Sequence, residues 1–129
     1  MNPHVRFITS EISQVGGPGL TDPIDAAIYL IQIGNAAALV DAGAGRSLDR
    51  LLINIDAVGV APEQIQFLLL THCHYDHTGG AAALRKRFGW KVAMHALDVP
   101  YLERGDPTVS AASWYSDDLT PCIVDLPLA

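Results

Sequence analysis

The chain has 129 residues, half of them hydrophobic, with 17% charged and a formal net charge of −6. That length supports one domain with a real core, the acidic balance disfavours nucleic acid as a partner, and two cysteines are too few for a disulfide framework. Met1-Asn2-Pro3-His4-Val5-Arg6 is not followed by the apolar run of a secretory leader, and no stretch reaches membrane-spanning length, so the reading is a cytoplasmic protein with no membrane partner.

In chain order, Phe7 to Val15 reads as an opening strand or pair of strands, broken by Gly16-Gly17-Pro18-Gly19. Ile28–Ile33 and Ala36–Val40 read as two strands with Gly34-Asn35 as the hairpin turn. After the Gly-rich loop Asp41 to Arg46, Ser47 is placed to cap a helix reaching about Val58. Leu48, Leu51, Leu52 and Ile55 form its apolar stripe and Gly59 its stop. Gln66–Leu70 is an apolar run of buried-strand type. Ala81–Phe88 is a second helix ended by Gly89, Trp90–Met94 the next strand, and Asp98–Arg104 a short helix ended by Gly105-Asp106-Pro107. Thr108–Asp118 is an unpatterned loop carrying Trp114 and Tyr115, and Ile123–Leu126 reads as a final strand. No linker, repeat or low-complexity tract divides the chain, so residues 1–129 are read as one unit.

The chemistry concentrates in Thr71-His72-Cys73-His74-Tyr75-Asp76-His77-Thr78-Gly79-Gly80, which holds three of the five histidines. Imidazole and carboxylate are ligands for zinc and other first-row metals. In an extended segment residues two apart share a face, so His72 and His74 project together as the strand ends, at a spacing suited to one metal. Asp76 and His77 follow where the chain must turn and can reach a second metal beside the first. Two neighbouring metals can share and acidify a water. Thr78-Gly79-Gly80 would let the backbone pass close by and enter a helix. Cys73, alternating with the two histidines, should point away from them and pack. Asp41 ends a strand, where a turn aspartate bonding its own backbone is the plain reading. His95, also at a strand end, reads as a polar rim residue, and Arg85-Lys86-Arg87 as cations suited to a helix C-terminus.

The pattern His72-x-His74-x-Asp76-His77 resembles the signature of the metallo-β-lactamase-fold hydrolases. Ala27–Asn35 with Ala38-Leu39-Val40-Asp41-Ala42-Gly43 resembles that family's first hairpin and its Val-Asp-x-Gly turn. Lys91–Asp98 resembles the strand and helix start that follow the motif in glyoxalase II-like members. The resemblance runs from about Ile28 to Asp98. It implies an α/β (α+β) fold, a four-layer αββα sandwich of two similar halves. This chain supplies the N-terminal half, a mixed sheet with flanking helices. It further implies that His72 and His74 hold one metal, that Asp76 and His77 hold a second, and that Asp41 orients the histidine loop. The family's second half supplies further ligands, and the chain has only His95 after His77.

The expected activity is hydrolysis of an ester, thioester or amide in a small-molecule substrate by a metal-activated hydroxide, with Asp76 helping to orient it. Zinc is the expected cofactor, as one or two ions, with iron or manganese as alternatives. An iron-dependent redox chemistry on the same fold is the competing enzyme class. A non-catalytic half-domain that pairs with a second copy, a homodimer through the face left open by a missing half, is the reading from another class.

Overall fold

In the computed structural model, which describes residues 2–129, seven strands form a single sheet in chain order. β1 (Arg6–Phe7), β2 (Ile12–Gly16), β3 (Ile28–Ile33) and β4 (Ala36–Val40) run antiparallel to one another. β5 (Ile65–Leu69), β6 (Lys91–His95) and β7 (Leu126–Leu128) continue the sheet in parallel from β4. Parallel neighbours need a crossover. Helix α1 (Leu48–Val58) links β4 to β5, α2 (Tyr75–Thr78) and α3 (Ala81–Phe88) link β5 to β6, and α4 (Val99–Arg104) links β6 to β7.

The helices form where the apolar spacing puts them. Leu51, Asn54 and Ile55 are the buried face of α1, and Gly59, at φ 91°, ends it in the left-handed conformation that glycine adopts freely. Ser47 stands at the expected N-cap position but its side chain makes no capping bond. Asn54 is fully buried. Its amide donates to the carbonyls of Val15 and Leu20 at 2.8 and 3.1 Å and accepts from the His4 amide at 2.8 Å. It thereby sews α1 to the second strand and the loop after it, with its polar atoms satisfied.

Three expectations need correction. The run after Phe67 leaves the strand at Leu69, so His72 stands on a bend and His74 at the N-cap of α2, not on a continuing strand, and Asp76 and His77 lie on the helical turn of α2. The final strand starts at Leu126, not Ile123. Before it, the amides of Cys122 and Val124 donate to the Leu102 carbonyl and to Glu103, partners outside a ladder. Within the 108–118 loop, Ala112–Tyr115 forms a 3-10 turn.

The register gives each face its composition. Leu30, Leu39, Leu68 and Val92 lie side by side across β3–β6, each 0% exposed, in the same core cluster as Leu51, Ile55 and Leu84 of the helices. The opposite face carries Ile31, Ala38 and Phe67 in one row and Tyr29, Val40 and Leu69 in the next. A sheet with one wet face alternates apolar and polar residues. These strands are apolar on both faces, yet among the residues of the second face Ile33 is 73% exposed and Phe67 37%.

At the far edge Asp125 docks β7. Its carboxylate accepts from Arg85 Nε and Nη2 at 3.1 and 2.8 Å and from the Val92 amide at 2.8 Å. The Arg85 hydrogen bonds hold its pKa down, at about 2. A depressed carboxylate stabilises the fold fully above the unfolded value near 3.9 and loses that contribution as pH falls towards 2. Asp125→Asn is therefore expected to lower the melting temperature at pH 7, with the gap to wild type closing between pH 4 and pH 2. Calorimetry across that range checks it.

Candidate metal centre

The site lies where two parallel strands end side by side. β4 and β5 pair in parallel, with Val40 opposite Leu69. The residues after them, Asp41 and the 70–77 segment, therefore emerge at the same edge, the edge at which open α/β sheets place their ligands. The Asp41 amide donates to the Leu69 carbonyl at 2.8 Å, and the carboxylate then turns onto the next loop. It accepts from the Thr71 amide at 2.9 Å and from the Thr71 hydroxyl at 2.9 and 3.1 Å, and lies 2.8 Å from His77 Nδ1. Asp41 has φ 66°, a conformation L-residues rarely hold and Asp tolerates better than most.

The imidazoles converge. The ring centroids of His72 and His77 are 4.1 Å apart and those of His72 and His74 4.6 Å. Asp76 Oδ1 lies 3.9 Å from His77 Nε2. Thr71 Oγ1 is 3.0 Å from His72 Nδ1, so in both His72 and His77 the Nδ1 edge is engaged by protein and Nε2 is left for another partner. That division of labour is the one a metal-ligating histidine needs, one nitrogen held and the other free. Side-chain donor atoms do not yet close on one point: among the described residues, no three His, Cys, Asp or Glu side chains are arranged to hold an ion. The donor chemistry, imidazole and carboxylate, fits a first-row metal.

Electrostatics separate the histidines. Burial, reinforced by the neighbouring His77 and His74, lowers the His72 pKa, which favours the neutral form a metal requires. His77 is moved the other way, chiefly by its hydrogen bond to Asp41 and against its own burial.

The backbone beneath is held by close contact. The His77 carbonyl accepts from the Ala42 amide at 2.8 Å, the Asp76 carbonyl from the Ala26 amide at 3.1 Å, and the Gly80 amide donates to Gly43 at 3.1 Å. A Cβ on Gly79 would stand 2.3 Å from the Ala44 carbonyl oxygen, and one on Gly80 2.4 Å from that of Ala42. The glycine pair thus serves the approach of helix α2 to the 42–45 loop. Cys73 is 4% exposed and its amide donates to Asp98 at 3.0 Å, a side-chain bond that the spacing of the motif does not signal. Also unforeseen are Thr71, between Asp41 and two imidazoles, and Asp25, buried, accepting from the Ala44 amide at 2.8 Å, its pKa raised by that burial. Thr71 could have been read from its place before the first histidine; Asp25 carries no local signal. His95 is exposed, its Nδ1 accepting from the Leu97 amide at 3.1 Å.

The chain is thus a mixed sheet with helices on one face and a histidine–aspartate cluster at the carboxyl ends of its parallel strands. The chain belongs to the metallo-beta-lactamase superfamily, whose family model matches residues 21–127. It is 35% identical over 82 residues to a hydroxyacylglutathione hydrolase of Acidiphilium cryptum, covering 64% of this chain and 31% of that protein. It is 43% identical over 70 residues to one of Anaeromyxobacter dehalogenans, covering 54% and 25%. A subclass B3 metallo-beta-lactamase of Bradyrhizobium japonicum superposes with a TM-score of 0.83 at 26% identity, covering 98% of this chain and 46% of that one. The chain thus spans about half or less of the length of the relatives it matches. Among the described residues, no helix is long and apolar enough to cross a membrane.

In metal-free protein His77 is expected to titrate above the ordinary histidine value and His72 below it. Asp41→Asn should bring His77 down past its wild-type value. Since a raised histidine stabilises fully below about 6.5 and loses this as pH rises through its folded value, the variant's stability deficit should be largest at acidic pH. Histidine-resolved NMR titration and paired melting curves check both.

Proposed function

We propose that the chain carries the metal-binding half of a hydrolase acting on an acyl bond, an ester, thioester or amide, in a small-molecule substrate. The single observation that carries this is the gathering of two imidazoles about a third, His77 at 4.1 Å and His74 at 4.6 Å from His72, with Asp76 beside His77. Zinc is the proposed ion, with iron or manganese as alternatives. His72 and His74 would hold one ion and Asp76 and His77 a second. A bound divalent ion would supply Lewis acidity and lower the pKa of water at the site. The chain's own residues do the rest. Asp41 holds His77 Nδ1, so the proton stays on that nitrogen and Nε2 faces the site. Thr71 links that carboxylate to His72, so both rings answer to one anchor. Asp76 would help to orient the attacking oxygen. Similarity to two hydroxyacylglutathione hydrolases supports an acyl substrate. Two free, buried cysteines suit a reducing cytoplasmic setting.

Elemental mass spectrometry on purified protein should find one or two equivalents of zinc or iron per chain. Asp76→Ala should lower that content and, in any form that turns over an ester or thioester, reduce turnover by two or more orders of magnitude. Unchanged metal content and unchanged turnover in the variant would sink the assignment.

A second reading concerns the open sheet face, for which we propose a second copy of this chain as the occupant. Ala36 and Ala38 lie in a shallow depression of about 220 Å³ lined also by Ile33, Gln66 and Phe67. A floor of alanines between an isoleucine and a phenylalanine is groove and ridge on one patch, the self-complementary relief a two-fold contact uses. Five strands about 4.8 Å apart and about five residues long give roughly 400 Å² of projected face per chain. Two such faces total roughly 800 Å², below the range of stable specific interfaces and in that of weak, transient ones. A dimer dissociating in the micromolar range is expected by sedimentation, weakened at least tenfold by Phe67→Asp with the melting temperature held. A monomer at every concentration rules it out.

A further inference from the structure

Tyr75 stands between two of the proposed ligands, His74 and Asp76, and opens helix α2. Its ring is 3% exposed and lies 5.4 Å, centroid to centroid, from that of Tyr115. Its backbone amide donates to the Ser110 carbonyl at 2.7 Å. Its phenol donates to the carboxylate of Asp117, 42 residues along the chain. Amide, ring and hydroxyl of one residue thus each engage the 110–117 segment. Arg46 closes the group from the other side. Its Nη2 lies 3.4 Å from Asp117 and donates to the Tyr115 carbonyl at 3.5 Å, and its guanidinium sits 5.9 Å from the Tyr75 ring centroid.

The segment so held is itself unusual. Three non-glycine residues among those described have positive φ. One is Asp41, against His77. The other two, Ala111 at 62° and Ser116 at 53°, bracket the Ala112–Tyr115 turn. Strained backbone persists only where the surroundings over-determine it, and it gathers at functional sites. The turn carries Trp114, 85% exposed, while the chain's other tryptophan, Trp90, is 3% exposed. Packing alone would be served by phenylalanine at position 75. The phenol's bond to a carboxylate on this loop is what packing leaves unexplained.

We propose that Tyr75 is a positioning residue that joins the 110–117 segment to helix α2 as one mechanical unit, setting the Trp114 turn at a fixed place relative to Asp76 and His77. The proposal rests on the metal-centre reading for its functional meaning, because α2 carries two of the proposed ligands. The coupling itself needs no metal. It deepens that reading by making the loop with Trp114 part of the same device, so that what touches the turn bears on the ligand helix.

Hydrogen exchange by mass spectrometry on the whole chain, first without metal, tests it. Tyr75→Phe keeps the ring and removes only the donor; Asp117→Ala removes the acceptor from an exposed loop; Asp117→Asn keeps an acceptor. Both Tyr75→Phe and Asp117→Ala should speed exchange several-fold in peptides covering 110–117 and in those covering 75–80, and Asp117→Asn should recover most of the loss. Circular dichroism confirms that each variant is folded, and the Asp117 pair stands if Tyr75→Phe does not fold. Faster exchange confined to 110–117, or no change in either segment, overturns the proposal. Zinc added to wild type then separates the two ideas. If the coupling holds but zinc leaves the exchange of 72–80 unchanged, the metal reading fails and the positioning role survives. If zinc protects 72–80 while the metal-free variants match wild type, the reverse is true.

Discussion

Everything at the site depends on the parallel pairing of β4 with β5. It brings the residue after Val40 beside the residue after Leu69, and so delivers one carboxylate to a loop 30 residues further on. Asp41 then does three things at once. Its amide extends the ladder to Leu69, one oxygen receives the Thr71 amide, and the other meets His77. The left-handed backbone at Asp41 is what turns the carboxylate from the strand direction onto the next loop. An asparagine would retain the turn geometry, but not the negative charge that draws a proton to His77.

Much of this could be read from the sequence, and the misses have a pattern. Ile28–Ile33, Ala36–Val40 and Ala81–Phe88 were legible because local composition and turn residues agree with the fold there. The histidine–aspartate cluster was legible because its members are neighbours in sequence. Its geometry was not. His72 and His74 come together across the bend at 71–73 and the start of α2, where the hydroxyl of Thr78 donates to the carbonyls of Cys73 and His74. The period-two argument expected His72 and His74 to stand together, and their rings do lie 4.6 Å apart, but on a backbone that has already left the strand. The beginning of β7 was misplaced because Cys122 and Val124 spend their amides on Leu102 and Glu103, contacts that no local pattern announces. Asp25, Asp98 and Asp117 escaped for the same reason: each reaches a distant backbone or side chain through a fold-dependent bond.

The two sheet faces explain why composition alone misleads about burial. Half of the residues are hydrophobic, as a well-buried core would require. Yet only the row from Leu30 to Val92 is sealed by helices, while Ile31, Ala38 and Phe67 across the same strands are not. Strands that are apolar on both sides are the signature of a sheet buried on both sides. The relatives matched here are two or more times longer, so a second layer is available to them from their own chains. A second copy would supply the same layer from a duplicate face. Either way the carboxyl ends of β4 and β5 stand at the border of the open face, and the covering layer would form the other wall of the cleft.

That placement also accounts for why the histidine loop is braced from so many directions. A cleft open on one side gives a histidine cluster little packing to fix it. The bracing comes instead from backbone. Gly79 and Gly80 press against Ala44 and Ala42 at distances that exclude a Cβ, the carbonyls of Asp76 and His77 are taken by Ala26 and Ala42, and the Tyr75 amide by Ser110. Each bond ties the four-residue helix α2 to a different loop: 24–27, 42–45 and 106–118. A helix this short has almost no stability of its own. Its geometry is therefore set by those three loops, and a perturbation of any of them bears directly on where the side chains of Asp76 and His77 stand.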